Sequence, residues 1–187
     1  MSSKIRSFLA IELEENLKEN VSNVQKEFRK IDADIKYVPS KNMHLTLKFF
    51  GDIDLDTVEK LSLKIESVLN NYSEFTLKLK GCGNFPNPNN IKVIWIGFED
   101  NEILSNLQKE LDNEFNTLGF KKERDYKSHL TIGRMKNAKN KDEVKELIAK
   151  NKTIEIGQMK VNKIILKKST LTPNGPIYED LKVFKVI

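Results

Sequence analysis

His44-Leu45-Thr46-Leu47 and His129-Leu130-Thr131-Ile132 carry the same four-residue pattern, 85 positions apart, and they contain the only two histidines of the chain. Given the chain's own Leu, Thr and Ile content, chance would place this pattern after a histidine about once in a thousand, and after both roughly once in a million. The pair is an internal repeat of a chemical element, one copy in each half of the chain. In an extended strand, residues i and i+2 point to one face. His44 and Thr46 therefore share a face, and Leu45 and Leu47 take the other. The same holds for His129 and Thr131 against Leu130 and Ile132. Each copy sets a polar pair in front of an apolar pair. Two lobes related by a pseudo-two-fold axis would bring two imidazoles and two hydroxyls to one cleft.

The surrounding sequence supplies the elements for such lobes. Arg6 to Leu13 is a short apolar run and reads as a buried strand. Leu17, Val21, Val24, Phe28 and Ile31 fall at helical spacing, as do Val58, Leu61, Ile65 and Val68. Leu104, Leu107, Leu111, Phe115 and Leu118 form the clearest helical stripe, stopped by Gly119. Ile35 to Val38, Met43 to Phe50, Phe75 to Leu79, Lys92 to Phe98 and Ser128 to Met135 read as strands. A short helix follows over Asp142 to Lys150, then strands within Ile154 to Leu171 and from Tyr178 to Ile187. The stretch Gly81 to Asn90 is rich in Gly, Pro and Asn and reads as the longest loop, a hairpin or a crossover. Several strands adjoin without an intervening helix. That favours an α+β fold with antiparallel or mixed sheets over a doubly wound parallel one.

The chain has 187 residues, long enough to bury a core without staples. Its 32 Lys+Arg against 27 Asp+Glu give a net charge of +5, which suits a polyanionic partner. The single cysteine, Cys82, excludes a disulfide framework and reads as an inert thiol in a reduced, cytoplasmic protein. No run is apolar for long enough to span a membrane. The N-terminal residues are too acidic for a signal peptide.

Histidine titrates nearest to neutral pH, so two imidazoles can act as one base and one acid. The hydroxyls of Thr46 and Thr131 add neutral donors for phosphoryl oxygens. Arg134 follows His129 by five residues, and a guanidinium binds phosphate in a bidentate manner. On a regular strand Arg134 would point away from His129; a bulge at Gly133 would return it to the cleft. Phe49 falls on the Leu45/Leu47 face and is expected in the core. Phe50 and Trp95, and Phe49 as its lesser reading, could stack on a base. Tyr37, at the end of a strand before Pro39, stays open between core and stacking. Two histidines and a remote cysteine do not make a zinc site, so no metal and no cofactor are expected. The pattern suits in-line displacement by water at phosphorus.

At these residues the sequence resembles the two-histidine (2H) phosphoesterase superfamily. Within it, the sequence is similar to the RNA 2′,3′-cyclic phosphodiesterases, also known as 2′-5′ RNA ligases. The likeness is carried by Arg6 to Ile11, His44 to Gly51 (HLTLKFFG), Val93 to Gly97 (VIWIG), Ser128 to Arg134 (SHLTIGR) and Leu166 to Leu181. It departs at Ser128, where that family commonly has Pro, and at Tyr37, where it often has Trp. The resemblance implies one domain over residues 1–187, made of two pseudo-symmetric lobes around a shared cleft. It implies metal-independent hydrolysis of 2′,3′-cyclic phosphate ends of RNA to 2′-phosphates, with the reverse 2′-5′ ligation open. His129 would be the base, His44 the acid that protonates O3′, and Thr46, Thr131 and Arg134 the phosphate ligands. The partner would be RNA or a cyclic nucleotide, bound by a monomer with no membrane attachment. The alternatives are a 2H enzyme acting on 2′-5′ oligoadenylate or a cyclic nucleotide-sugar phosphate, and a non-catalytic binder of RNA ends.

Overall fold

The structure, a computed structural model, describes residues 4–187. The chain runs β1 (Ile5–Glu12), α1 (Glu15–Arg29), β2 (Ile35–Tyr37), a short 3-10 turn (Ser40–Asn42), β3 (His44–Ile53), α2 (Leu55–Leu69) and β4 (Phe75–Asn87). It continues through β5 (Asn90–Phe98), α3 (Glu102–Thr117), β6 (His129–Met135), α4 (Lys141–Lys150), β7 (Glu155–Val161), β8 (Lys163–Thr172) and β9 (Gly175–Lys185). Two sheets result, ordered β3-β1-β8-β9 and β2-β6-β5-β4-β7. Every strand pairing is antiparallel, which makes the fold α+β as the adjoining strands suggested.

The expected long loop is mostly strand. β4 continues to Asn87, and the chain reverses in a turn at Pro88 and Asn89. The Asn87 side chain holds that turn by accepting from the Asn89 and Asn90 amides at 3.0 and 3.1 Å. The glycines that suggested a loop have another reason. A Cβ on Gly83 would lie 2.3 Å from the indole of Trp95, its cross-strand partner, so the ring can lie flat on the sheet only over glycine.

Each sheet is backed by helices whose apolar stripe faces it, and the helices are exchanged between lobes. α1 follows β1 of the four-stranded sheet but packs on the five-stranded one. There Leu17 covers Gly157, and Asn20 donates to the Ile156 carbonyl. α3 follows β5 of the five-stranded sheet but packs against the four-stranded one, with Phe115 edge-on to Phe50 of β3 at 5.0 Å. Neither lobe is therefore a continuous half of the chain.

The two motif strands are superimposable in register. Glu12, Ala10, Leu9 and Phe8 pair with His44, Thr46, Lys48 and Phe49. Gly97, Trp95, Ile94 and Val93 pair with His129, Thr131, Gly133 and Arg134. Each member of the second set lies 85 positions after its counterpart in the first, on both strands of the pair. In each ladder the residue after the threonine, Leu47 or Ile132, is skipped as a bulge.

Candidate active site

The bulge decides which side chains reach the cleft. An extra residue in one strand reverses the alternation beyond it. His44 and Thr46, and His129 and Thr131, face the cleft before the bulge. Phe49 and Arg134 rejoin that face after it. All five expected site residues, His44, His129, Thr46, Thr131 and Arg134, line one cleft of about 470 Å³. The bulge expected at Gly133 falls one residue earlier, at Ile132, with the same effect on Arg134. Phe49 is corrected. It does not enter the core but stands 58% exposed on the cleft wall, because the bulge at Leu47 breaks the alternation that assigned it inward.

A buried bulge leaves backbone groups to satisfy. The Ile132 carbonyl, off the ladder, accepts from the Val38 amide at 3.0 Å and from the Gln25 amide nitrogen at 2.8 Å. Gln25 is buried on the apolar face of α1, and its same nitrogen donates to the Val38 carbonyl at 2.9 Å. This polar residue on an apolar stripe drew no notice in the sequence, although its position was the signal.

The histidines are held alike. His44 Nδ1–H donates to the Asn42 carbonyl and His129 Nδ1–H to the Lys127 carbonyl, both at 2.7 Å. A carbonyl only accepts, so the ring proton sits on Nδ1, and Nε2 is left to exchange a proton in the cleft. The i−2 carbonyl thus orients each ring without a carboxylate. The Asn42 side chain is tied to the Pro176 carbonyl at 3.1 Å. The Tyr126 hydroxyl donates to the Thr46 carbonyl at 3.0 Å and so joins the segment before β6 to the first motif strand. Lys48, buried directly after the bulge, donates to Asp112 of α3 at 2.6 Å.

The surroundings differ. His44 packs against Phe8 at 4.8 Å and edge-on to Tyr178 at 5.3 Å. Burial pushes its pKa down to about 4; the Asn42 carbonyl opposes, Lys167 adds to the depression, and Glu12 works against it. Lys167 lies buried between Glu12 and Asp180 at 2.5 Å from each. His129 is half-buried with Phe85 edge-on at 5.0 Å. Tyr37 and Tyr178 also line the cleft. The Arg29 guanidinium sits 4.0 Å over the Tyr37 ring. Burial raises the Tyr178 hydroxyl's pKa, and Arg134 and Arg6 draw it back.

No group of three or more His, Cys, Asp or Glu that could hold a metal occurs among the described residues. Cys82 is buried, its thiol pushed up to about 12 by desolvation. No helix among the described residues is long and apolar enough to cross a membrane.

Two antiparallel sheets that each present a His-x-Thr strand to a common cleft, in the same register, are the architecture of a two-histidine phosphoesterase. A family model described as LigT like Phosphoesterase matches the chain twice in tandem, over residues 11–95 and 96–178. The chain belongs to this family. It is 44% identical over 183 residues to the RNA 2′,3′-cyclic phosphodiesterase of Methanothermobacter thermautotrophicus, covering 98% of this chain and all of that one. It is 44% identical over 181 residues to the protein of the same name from Methanocaldococcus jannaschii, covering 95% and 99% of the two chains. The fold is similar to that of TT0787 of Thermus thermophilus, with a TM-score of 0.82 and 24% identity over 97% of both chains. E. coli LigT complexed with 3′-AMP gives a TM-score of 0.77 with 23% identity over 99% of both.

Proposed function

We propose that this protein hydrolyses 2′,3′-cyclic phosphate ends of RNA to 2′-phosphates by acid/base catalysis between His44 and His129, with no metal. The observation that carries this reading is the duplicated ladder: the same register, the same bulge and the same Nδ1 anchor on both sides of one cleft. A binder of RNA ends has no need of two imidazoles with Nε2 free. The curated relatives named as RNA 2′,3′-cyclic phosphodiesterases, similar over nearly the whole chain, support the substrate.

In the proposed step, His129 Nε2 takes a proton from water. The water oxygen attacks phosphorus, the P–O3′ bond breaks, and O3′ takes a proton from His44 Nε2. Thr46, Thr131 and Arg134 hold the phosphoryl oxygens. Burial keeps His44 neutral at pH 7 in the free protein. The anionic phosphodiester beside Thr46 restores its affinity for a proton, since an adjacent negative charge favours the imidazolium. The same neutrality favours a second reading, in which His44 is the base and His129 the acid.

The test is a product assay on 2′,3′-cyclic AMP and on a cyclic-phosphate-ended RNA. The expected product is the 2′-phosphate, with turnover unchanged by EDTA. His44→Ala and His129→Ala are each expected to lose about 10²- to 10⁴-fold in rate, the usual contribution of one general acid or base. Full activity in either variant overturns the proposal.

A further inference from the structure

A second groove, larger than the catalytic cleft at about 830 Å³, opens beside Tyr126, Lys127 and Ser128, the residues just before His129. The two share Tyr126 and Lys127 as a common wall, so the groove continues the cleft rather than standing apart from it. Its size is that of sites that take nucleotide-sized ligands. Its floor is the five-stranded sheet, where the half-buried indole of Trp95 lies over Gly83. Phe98 adds a second ring to the lining. Four lysines line it, Lys80, Lys127, Lys145 and Lys152, against one carboxylate, Asp100. Lys80 faces Glu99 and Glu155 at 3.7 Å. Lys127, Lys145 and Lys152 make no ion pair among the described residues. Apart from the Lys127 carbonyl that orients His129 and the Tyr126 hydroxyl on Thr46, the proposed hydrolysis uses none of this lining.

An aromatic platform flanked by unpaired lysines is the chemistry that holds single-stranded nucleic acid: bases stack on rings, and phosphates meet cations. We infer that this groove binds a further nucleotide of a single-stranded RNA chain whose cyclic-phosphate end lies in the catalytic cleft. The inference rests on the reading of the cleft given above and adds to it a place for the nucleotide that adjoins the cyclic-phosphate end. Continuity with the cleft and charge complementarity argue for it.

Trp95 is the chain's single tryptophan, so its fluorescence reports the groove directly. A short single-stranded RNA ending in an uncleavable 2′-phosphate is expected to quench it, at concentrations where 2′-AMP does not. In the double variant Lys145→Glu/Lys152→Glu, whose changes lie on exposed positions, the quenching is expected to fall about tenfold or more in apparent affinity. In turnover, kcat/KM should be about 10- to 100-fold higher for a cyclic-phosphate-ended oligonucleotide than for 2′,3′-cyclic AMP. The double variant should lose that gain and keep its rate on the mononucleotide. Absence of quenching, equal quenching by an acidic peptide, or a preference for oligonucleotides that survives the charge reversal overturns the inference. If neither substrate turns over, the hydrolytic reading fails, and the fluorescence titration still decides the groove.

Discussion

His44 and His129 stand on strands that can be laid over one another residue for residue, yet their rings meet different neighbours. His44 sits in a corner formed by Phe8 and Tyr178, above the buried Lys167 with its two carboxylates. His129 has Phe85 against it, and the residues just before it, Tyr126 to Ser128, line the lysine-rich groove. The backbone is symmetric because the two ladders share a register and a bulge. The chemistry is not, because the positions that pair with the motif differ: Glu12 against Gly97, Ala10 against Trp95, Phe8 against Val93. The repeat thus provides two imidazoles at equivalent stations, and the residues paired beside them make their surroundings unequal.

The largest effect that can break this comparison comes from the leaving group. A p-nitrophenyl phosphodiester needs no acid, because p-nitrophenolate departs unprotonated. His44→Ala is expected to recover most of its activity on that substrate, and His129→Ala to remain down by about 10²-fold or more. The opposite pattern assigns the acid to His129 and reverses the roles.

The next effect is on stability. The folded protein holds His44 near pKa 4, whereas the unfolded chain titrates it near the ordinary value of about 6.5. Between those values the unfolded state binds more protons than the folded one, so stability falls as pH falls through this window. The wild type should lose on the order of 3 kcal/mol more than His44→Gln between pH 7 and pH 4. Urea midpoints at the two pH values measure it, and parallel losses would remove the buried neutral imidazole from the account.

Phe49 and Arg134 are the symmetric pair beyond the bulge, and they sharpen the contrast further. Arg134→Met should lower kcat/KM by about 10- to 100-fold, as expected for the loss of a charge-assisted phosphate contact. Phe49→Leu should act mainly through KM, in a way that depends on the base. Equal effects of the two variants on all substrates would deny them distinct roles.

The smallest effect tests the bulge itself. Gln25→Leu leaves the Ile132 carbonyl with the Val38 amide alone, takes the Gln25 donor from the Val38 carbonyl, and costs about 1–3 kcal/mol of stability. Because that carbonyl lies beside the turn that aims Arg134, phosphate affinity should weaken with it. A thermal melt and a phosphate titration check both. A variant as stable as the wild type would show that the bulge needs no help from α1.

Much of this was legible in the residues. Helical stripes and strand runs were recoverable because burial of one face imposes a period, and the motif pairs stood out because both histidines share one context. The hairpin expected within Gly81 to Asn90 is there, but its loop is only the turn at Pro88 and Asn89, for a physical reason. Glycine there makes room for Trp95 on the neighbouring strand, and no local pattern announces a neighbour across a sheet. Phe49 was misplaced because period-two alternation holds only until a bulge, and the bulge depends on pairing with β1.

The sequence by itself determined that two His-x-Thr strands exist, that each is apolar behind and polar in front, and that the fold is α+β. Those are properties of local spacing, and spacing is written in the chain. The tertiary structure alone decided that the helices cross between lobes, that Phe49 and Arg134 turn into the cleft, and that one imidazole packs against Phe8 and Tyr178 while the other meets Phe85. Those depend on contacts between residues as far apart as Gln25 and Ile132, where packing and hydrogen bonding across the molecule, rather than local preference, set the outcome.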